Sequence, residues 1–247
     1  MNRFLTLLVL LAVAAFAFAN GEGETPPPSA FDDGIYFAQE DGFNERTGWK
    51  YMVTLEVEDG EIVMAEWNGA NVTAGRDKIT MSEDGDYGMV ERGGAQSEWH
   101  VQAAAVEEYL LEVQDPTAIE YDNEDGTTDA ISGVSIHINE FVTLAIEALE
   151  QGPVGYGPYE DGAYHAEADE FDHGWKDRVD LTVVTGRIVA AYWNPVNEEG
   201  RTKNEASESG DYGMVANGGA QSEWHVQADL AEEALLESQD PSAISLN

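Results

Sequence analysis

The sequence predicts an α+β protein of two similar units, each an antiparallel β meander packed with one or two helices. Three observations carry this reading. Asp86–Ala103 (DYGMVERGGAQSEWHVQA) returns almost unchanged as Asp211–Ala228 (DYGMVANGGAQSEWHVQA), so the chain holds an internal duplication and is read as one unit repeated. In both copies, short segments of alternating apolar and polar residues precede that block, the period of a half-buried strand. Within and after it, apolar residues recur at three-four spacing, the period of a helix packed on one face.

The chain opens on an expected export signal, residues 1–19. Arg3 supplies the positive start, Phe4–Phe18 is an apolar run, and Ala17-Phe18-Ala19 is a small-x-small site with cleavage after Ala19. The run is short for a membrane span, which needs about 20 apolar residues. Residues 20–32 are rich in Pro, Gly and polar side chains and read as a linker. What remains suits two domains of about 100 residues each: a first unit at 33–152, a linker at 153–158 and a second unit at 159–247.

The units start at Asp33-Gly34-Ile35-Tyr36 and Asp161-Gly162-Ala163-Tyr164, each followed by a Gly-Trp-Lys turn at Gly48–Lys50 and Gly174–Lys176. Met52–Val57 and Val179–Val183 alternate as strands. Asp59-Gly60 and Thr185-Gly186 are hairpin turns, and Ile62–Trp67 and Ile188–Trp193 return. A polar, glycine-rich stretch leads to a helix in each copy, with Ser97 and Ser222 expected as N-caps. Trp99, Ala103, Val106 and Leu110 share one face of the first helix; Trp224, Ala228, Ala231 and Leu235 repeat them. Asp-Pro ends both helices, at 115–116 and 240–241. Only the first copy continues, through an acidic loop (EYDNEDGTT, Glu120–Thr128) into a second helix from about Asn139 to Gln151, closed by Gly152.

Composition narrows the chemistry. The chain has 49 acidic residues against 11 basic, a formal net charge of −38. That excludes nucleic acid and anionic lipid as electrostatic partners. The acidic residues are scattered, as in a protein adapted to a salty medium that screens self-repulsion. There is no cysteine, hence no disulfide, thiol catalysis or thiolate metal site. His100 and His225 follow the helix-starting tryptophans without a second ligand at helical spacing, which favours a structural role over a metal. The acidic loop is not an EF-hand: with Gly126 sixth, Tyr121 stands first and Ser132 twelfth, where Asp and Glu are needed. Tyr87, Trp99, Tyr212 and Trp224 are candidates to stack on a planar ligand, but Trp99 and Trp224 lie on apolar helix faces and read as core.

The element present once carries the distinctive motif, Asp129-Ala130-Ile131-Ser132-Gly133-Val134-Ser135. Taken alone it reads as a Ser-Gly turn capping a helix. Asp-x-x-Ser-Gly-x-Ser before a helix also resembles the flavin-attachment motif of the FMN-binding domain family, whose usual form is Asp-x-x-(Ser/Thr)-Gly-Ala-Thr. The Asp-Gly-x-Tyr start, the Gly-Trp-Lys turn and the strand pair resemble the same family, especially its exported tandem-domain members. The likeness covers most of Asp33–Gln151 and, without the motif, Asp161–Ile244.

The resemblance implies covalent FMN, joined by an exported flavin transferase through its phosphate to the hydroxyl of Ser135. Asp129, Ser132, Gly133 and Val134 match the motif around that acceptor. The chain departs from the family in having Ser135 for the usual Thr and Val134 for the usual Ala. A phosphoester acceptor must be a reachable hydroxyl, Gly133 would let the backbone turn, and a helix start just after Ser135 would favour the phosphate charge. The expected function is an exported, periplasmic or secreted, flavoprotein electron carrier served by membrane or soluble redox partners. No catalytic residue and no metal ligand is assigned. The alternatives are a flavin-free acidic surface binding or structural protein and a reductase holding FMN non-covalently.

Overall fold

The computed structural model describes residues 31–244; the expected export signal and nearly all of the first linker lie outside the described residues. The fold is α+β. The first unit comprises β1 (Gly34–Gln39), β2 (Trp49–Glu58), β3 (Glu61–Asn71), α1 (Lys78–Glu83), α2 (Trp99–Val113), a 3-10 turn (Pro116–Ala118) and α3 (Asn139–Gln151). The second comprises β4 (Gly162–Glu167), β5 (Trp175–Lys176), β6 (Arg178–Val184), β7 (Arg187–Trp193), β8 (Val196–Asn197), α4 (Lys203–Glu208), α5 (Met214–Gly218), α6 (Trp224–Ser238) and a second 3-10 turn (Pro241–Ala243). The main sheets are antiparallel meanders in the orders β1-β2-β3 and β4-β6-β7, with β5 and β8 forming a small separate ribbon.

Both hairpins turn where expected. Asp59 (φ 53°) and Gly60 (φ 78°) are left-handed, as are Thr185 (φ 52°) and Gly186 (φ 70°), the geometry that matches strand twist. A β-branched residue rarely adopts this conformation. Thr185 has a compensating partner, since its hydroxyl lies 2.5 Å from that of Thr54 in the other unit.

That contact belongs to an interface the alternating pattern did not foretell. One face of the first sheet, including Tyr36, Val53, Leu55 and Trp67, packs under α2 and α3. The opposite face, expected to meet solvent, presents Phe37, Met52 and Ala70 to Val184, Val189 and Ala190 of the second sheet. Thr182 adds a bond from its hydroxyl to the Gly75 carbonyl at 2.8 Å. The sheets stack back to back, so strands patterned as half-buried are covered on both sides.

Three local readings are corrected. Trp49 and Lys50 are strand residues; only Gly48 (φ 71°) belongs to the turn. Ser97 and Ser222 are not the N-caps: Glu98 and Glu223 occupy those positions and make no side-chain cap bond. Their carboxylates instead accept from the N–H groups of Met89 and Val90, and of Met214 and Val215, because these tight turns expose donors that need an acceptor. The glycine-rich stretches also contain short helices. Asp77 caps α1 through the Thr80 N–H, and Thr202 with Glu205 forms a capping box on α4.

Candidate cofactor-attachment site

Residues 119–138 carry the chain from the end of α2 back along that helix to the start of α3. Backbone bonds organise the acidic loop: Asp122 N–H to Thr127 O and Gly126 N–H to Asp122 O, each 2.7 Å. Ile138 N–H to Gly126 O, also 2.7 Å, closes the segment. Thr128 donates to the Glu120 carbonyl at 2.6 Å and accepts from the Ala130 N–H. Ile131, Val134, Ile136 and Ile138 are buried in the first core, while the residues between them point outward. This alternation pins the motif by its apolar members and leaves its polar members exposed.

Asp129, Ser132, Gly133 and Ser135 are all exposed, and Val134 is buried. Gly133 has φ 85°, and a Cβ there would meet nothing; the requirement for glycine is conformational, not steric. The Ser135 hydroxyl donates to Gln102 Oε1 at 3.2 Å. The same oxygen accepts the Ser135 N–H at 2.7 Å and the Ile136 N–H at 3.2 Å. Gln102 is itself 1% exposed, and its amide nitrogen is anchored on the Ser97 carbonyl at 3.1 Å.

This geometry departs from the expected anion site. The helix starts at Asn139, after an Ile138 N-cap, not immediately after Ser135. The N–H groups at Ser135 and Ile136 are satisfied by Gln102 rather than open toward a phosphate. Asp129 is not the partner of the hydroxyl. What the structure offers a phosphoester is an accessible hydroxyl on a rigidly held turn, and the residues present fit that attachment.

Gln102 was legible in the sequence only as a member of the repeated block. Its counterpart Gln227 keeps the bond to the helix-preceding carbonyl, Ser222 O at 2.9 Å, but is exposed with no motif segment across it.

Of the aromatic candidates, Trp99 is buried, while Tyr87, Tyr212 and Trp224 are half-buried. Trp99 packs edge-on to Trp67 at 5.2 Å and stacks on Tyr51 at 6.2 Å. Between these rings lies a residue that pattern reading missed, Lys78. It is 1% exposed, and its ammonium sits 4.5–5.1 Å from the ring centroids of Trp49, Tyr51, Tyr87 and Trp99. It also donates to the Tyr51 hydroxyl at 2.7 Å. Burial lowers its pKa to about 7, while Glu140 and Glu40 pull the other way; the surrounding rings favour the charged form. Lys203 repeats the arrangement over Trp175, Tyr212 and Trp224, 4.0 Å from the last. In both units these rings surround one of the protein's own lysines.

The two repeated histidines, His100 and His225, are half-buried and hydrogen-bonded within the protein. His100 Nδ1 lies 2.9 Å from Ser82 Oγ, which accepts the His100 N–H; His225 and Ser207 repeat the pair at 2.8 Å. Among the described residues no group of three or more His, Asp or Glu side chains gathers as metal ligands. No helix among them is long and apolar enough to cross a membrane.

No family model matches the chain, and no curated protein matches it. Two solved structures are similar to part of it. A solution NMR structure of a Clostridium thermocellum protein is 53% identical, covering 49% of this chain and 92% of its own, with a TM-score of 0.39. A crystal structure of a Clostridium perfringens protein is 23% identical, covering 49% and 88%, also with a TM-score of 0.39.

Proposed function

We propose that this protein is an exported flavoprotein electron carrier with FMN joined through its phosphate to Ser135. The observation that carries this reading is the exposed Ser135 hydroxyl in the acceptor position of an Asp-x-x-Ser-Gly-x-Ser motif. Gly133 sets the turn, and Gln102 holds it from the buried face of α2. Apolar residues on alternate sides of the acceptor fix the loop without covering the hydroxyl, as attachment by a second enzyme requires. The motif's resemblance to that of the FMN-binding domain family supplies the cofactor and the transferase.

When bound, FMN supplies the redox chemistry; the chain supplies attachment and orientation. Because Ser135 is exposed, a flavin joined to it would lie at the surface, within reach of a membrane-bound or soluble redox partner. The second unit, which has no such motif within residues 159–244, supports the first sheet through Val184, Val189 and Ala190.

The test is co-production with a flavin transferase in an exporting host, followed by denaturation. Flavin fluorescence travelling with the polypeptide, and lost in Ser135→Ala, is the expected result. Colour released on denaturation would indicate loose FMN. No colour at all would leave a flavin-free acidic binding protein.

A further inference from the structure

The turn between β6 and β7 is where the second unit docks on the first. Thr185, left-handed at its tip, meets the Thr54 hydroxyl at 2.5 Å. Asp161 Oδ1 accepts the Gly186 N–H at 2.6 Å and so moves with the tip. Thr54 stands directly opposite Glu66 in the β2–β3 register, and opposite residues of an antiparallel pair share a face. Glu66 therefore belongs to the same seam, where it is half-buried.

The other charges around Glu66 are of its own sign: Asp77 ahead of α1, Glu107 on α2 and Asp161 ahead of β4. Among the described residues no basic side chain forms an ion pair with any of these four. Arg187, next along the hairpin, is used elsewhere: it donates to the Gly155 and Thr185 carbonyls and lies over the Phe37 ring at 4.9 Å. Burial pushes the Glu66 carboxyl above the ordinary carboxylate value; a bond from Asn68 opposes this, and Asp77 and Asp161 add to the rise.

The 153–158 segment supplies a pivot. The N–H groups of Val154 and Gly155 bond Ile35 O of the first unit at 2.7 and 3.0 Å. Those of Gly157 and Tyr159 bond Thr185 O and Gly186 O of the second at 3.0 and 3.2 Å. Between these anchorages stands Tyr156, flanked by glycines and 61% exposed. The Arg187 bond to Gly155 O, 2.8 Å, crosses this point.

We infer that the seam between the units is a proton- and salt-governed switch, closed when Glu66 holds a proton or salt screens its neighbours, and opening about Tyr156 when these carboxylates are charged at low ionic strength. A carboxylate withdrawn from water among like charges must take a proton, be screened or return to solvent. The docked form binds the Glu66 proton more tightly than the parted form. The stability this gives to docking is complete below the ordinary carboxylate value and is lost as pH rises through the raised one. Opening uncovers Phe37, Met52 and Ala70 on one sheet and Val184, Val189 and Ala190 on the other. The switch does not depend on a flavin at Ser135.

The experiment uses the full exported chain, whose lack of cysteine lets one spin label be placed on each unit, through Glu108→Cys on α2 and Glu233→Cys on α6, both exposed. These helices pack on the outer faces of the two stacked sheets, so the label distance reads the seam. At about 10 mM salt, where the screening length is about 30 Å, the distance should lengthen and broaden between about pH 5 and about pH 8, and about 1 M salt should restore it. Glu66→Gln should hold the short distance at the higher pH. Asp161→Asn, which keeps an acceptor for Gly186, should reduce the lengthening. Far-UV circular dichroism should stay constant, separating parted units from unfolded ones. A distance indifferent to pH and salt, lengthening equal to the parent's in either variant, or lengthening only together with loss of the dichroism would overturn the inference.

Discussion

The side-chain oxygen of Gln102 accepts three hydrogen bonds, two from Ser135 at the end of the motif and one from the Ile136 N–H just after it. One buried amide on α2 therefore sets the position of an exposed hydroxyl more than thirty residues downstream. Gln102→Ala should leave the Ser135 and Ile136 N–H groups without a partner, costing about 1–3 kcal/mol. Amide exchange at these two residues should accelerate, and the yield of covalent flavin should fall while Gln227→Ala changes neither. Unchanged exchange at Ser135 would show that the loop holds itself.

Glu107 and Glu232 are matched half-buried carboxylates. Each accepts a backbone N–H at 2.7 Å, from Trp67 and Trp193 respectively, and burial raises each pKa to about 7. The folded protein therefore binds more protons than the unfolded chain between about pH 4.5 and 7. The stability these groups contribute is full below that window and is lost as pH rises through 7. Glu107→Gln keeps an acceptor for Trp67 and removes the ionisation. It should be near neutral at pH 4.5 and stabilise by roughly 2 kcal/mol at pH 8, read by denaturant titration at the two pH values.

Lys78 has the opposite dependence. Its folded pKa of about 7 lies below the ordinary value of 10.5, so the unfolded chain binds more protons between them. Its contribution is best above 10.5 and worsens as pH falls toward 7. Lys78→Met preserves the aliphatic stem within the ring cage. The variant's melting temperature relative to the parent should rise by about 5 °C between pH 10 and pH 7. A difference that is flat with pH would mean that the cage stabilises the ammonium fully.

Gln114 and Gln239 end α2 and α6 in the left-handed conformation, with φ 59° and 54°. Each side chain bonds both backbone groups of the first buried residue on the returning strand, Ile62 or Ile188. Gln114→Gly relieves the backbone and removes the clamp; Gln114→Ala removes the clamp alone. Both should destabilise, Ala by about 1–3 kcal/mol and Gly by less. If Gly is neutral, backbone conformation rather than the clamp governs the position.

A net charge of −38 is met by few ion pairs among the described residues, such as Arg76 with Asp84 and Asp86, and Arg201 with Asp211. Self-repulsion is relieved by salt. The melting temperature should climb steadily from 0.05 to about 1 M sodium chloride. A flat response would remove salt adaptation as the explanation of the composition.

Much of the molecule was legible from local pattern. The repeat, the hairpin turns at Asp59-Gly60 and Thr185-Gly186, the helix faces led by Trp99 and Trp224, and the two extra elements of the first unit all follow from periods of two and 3.6 and from turn chemistry. The sequence alone also determined the strong acidity, the absence of cysteine and the position of a hydroxyl-bearing Ser-Gly turn before the final helix of the first unit. Only the tertiary structure decided that the sheets stack back to back through Met52 and Val189, that Lys78 fills the aromatic cage, and that Gln102 rather than a helix terminus holds Ser135. The physical reason is the same in each case. Period and propensity act between neighbours in the chain, whereas burial of a strand's second face, the partner of a buried amine and the acceptor of a loop N–H depend on side chains far away in sequence, which no local spacing encodes.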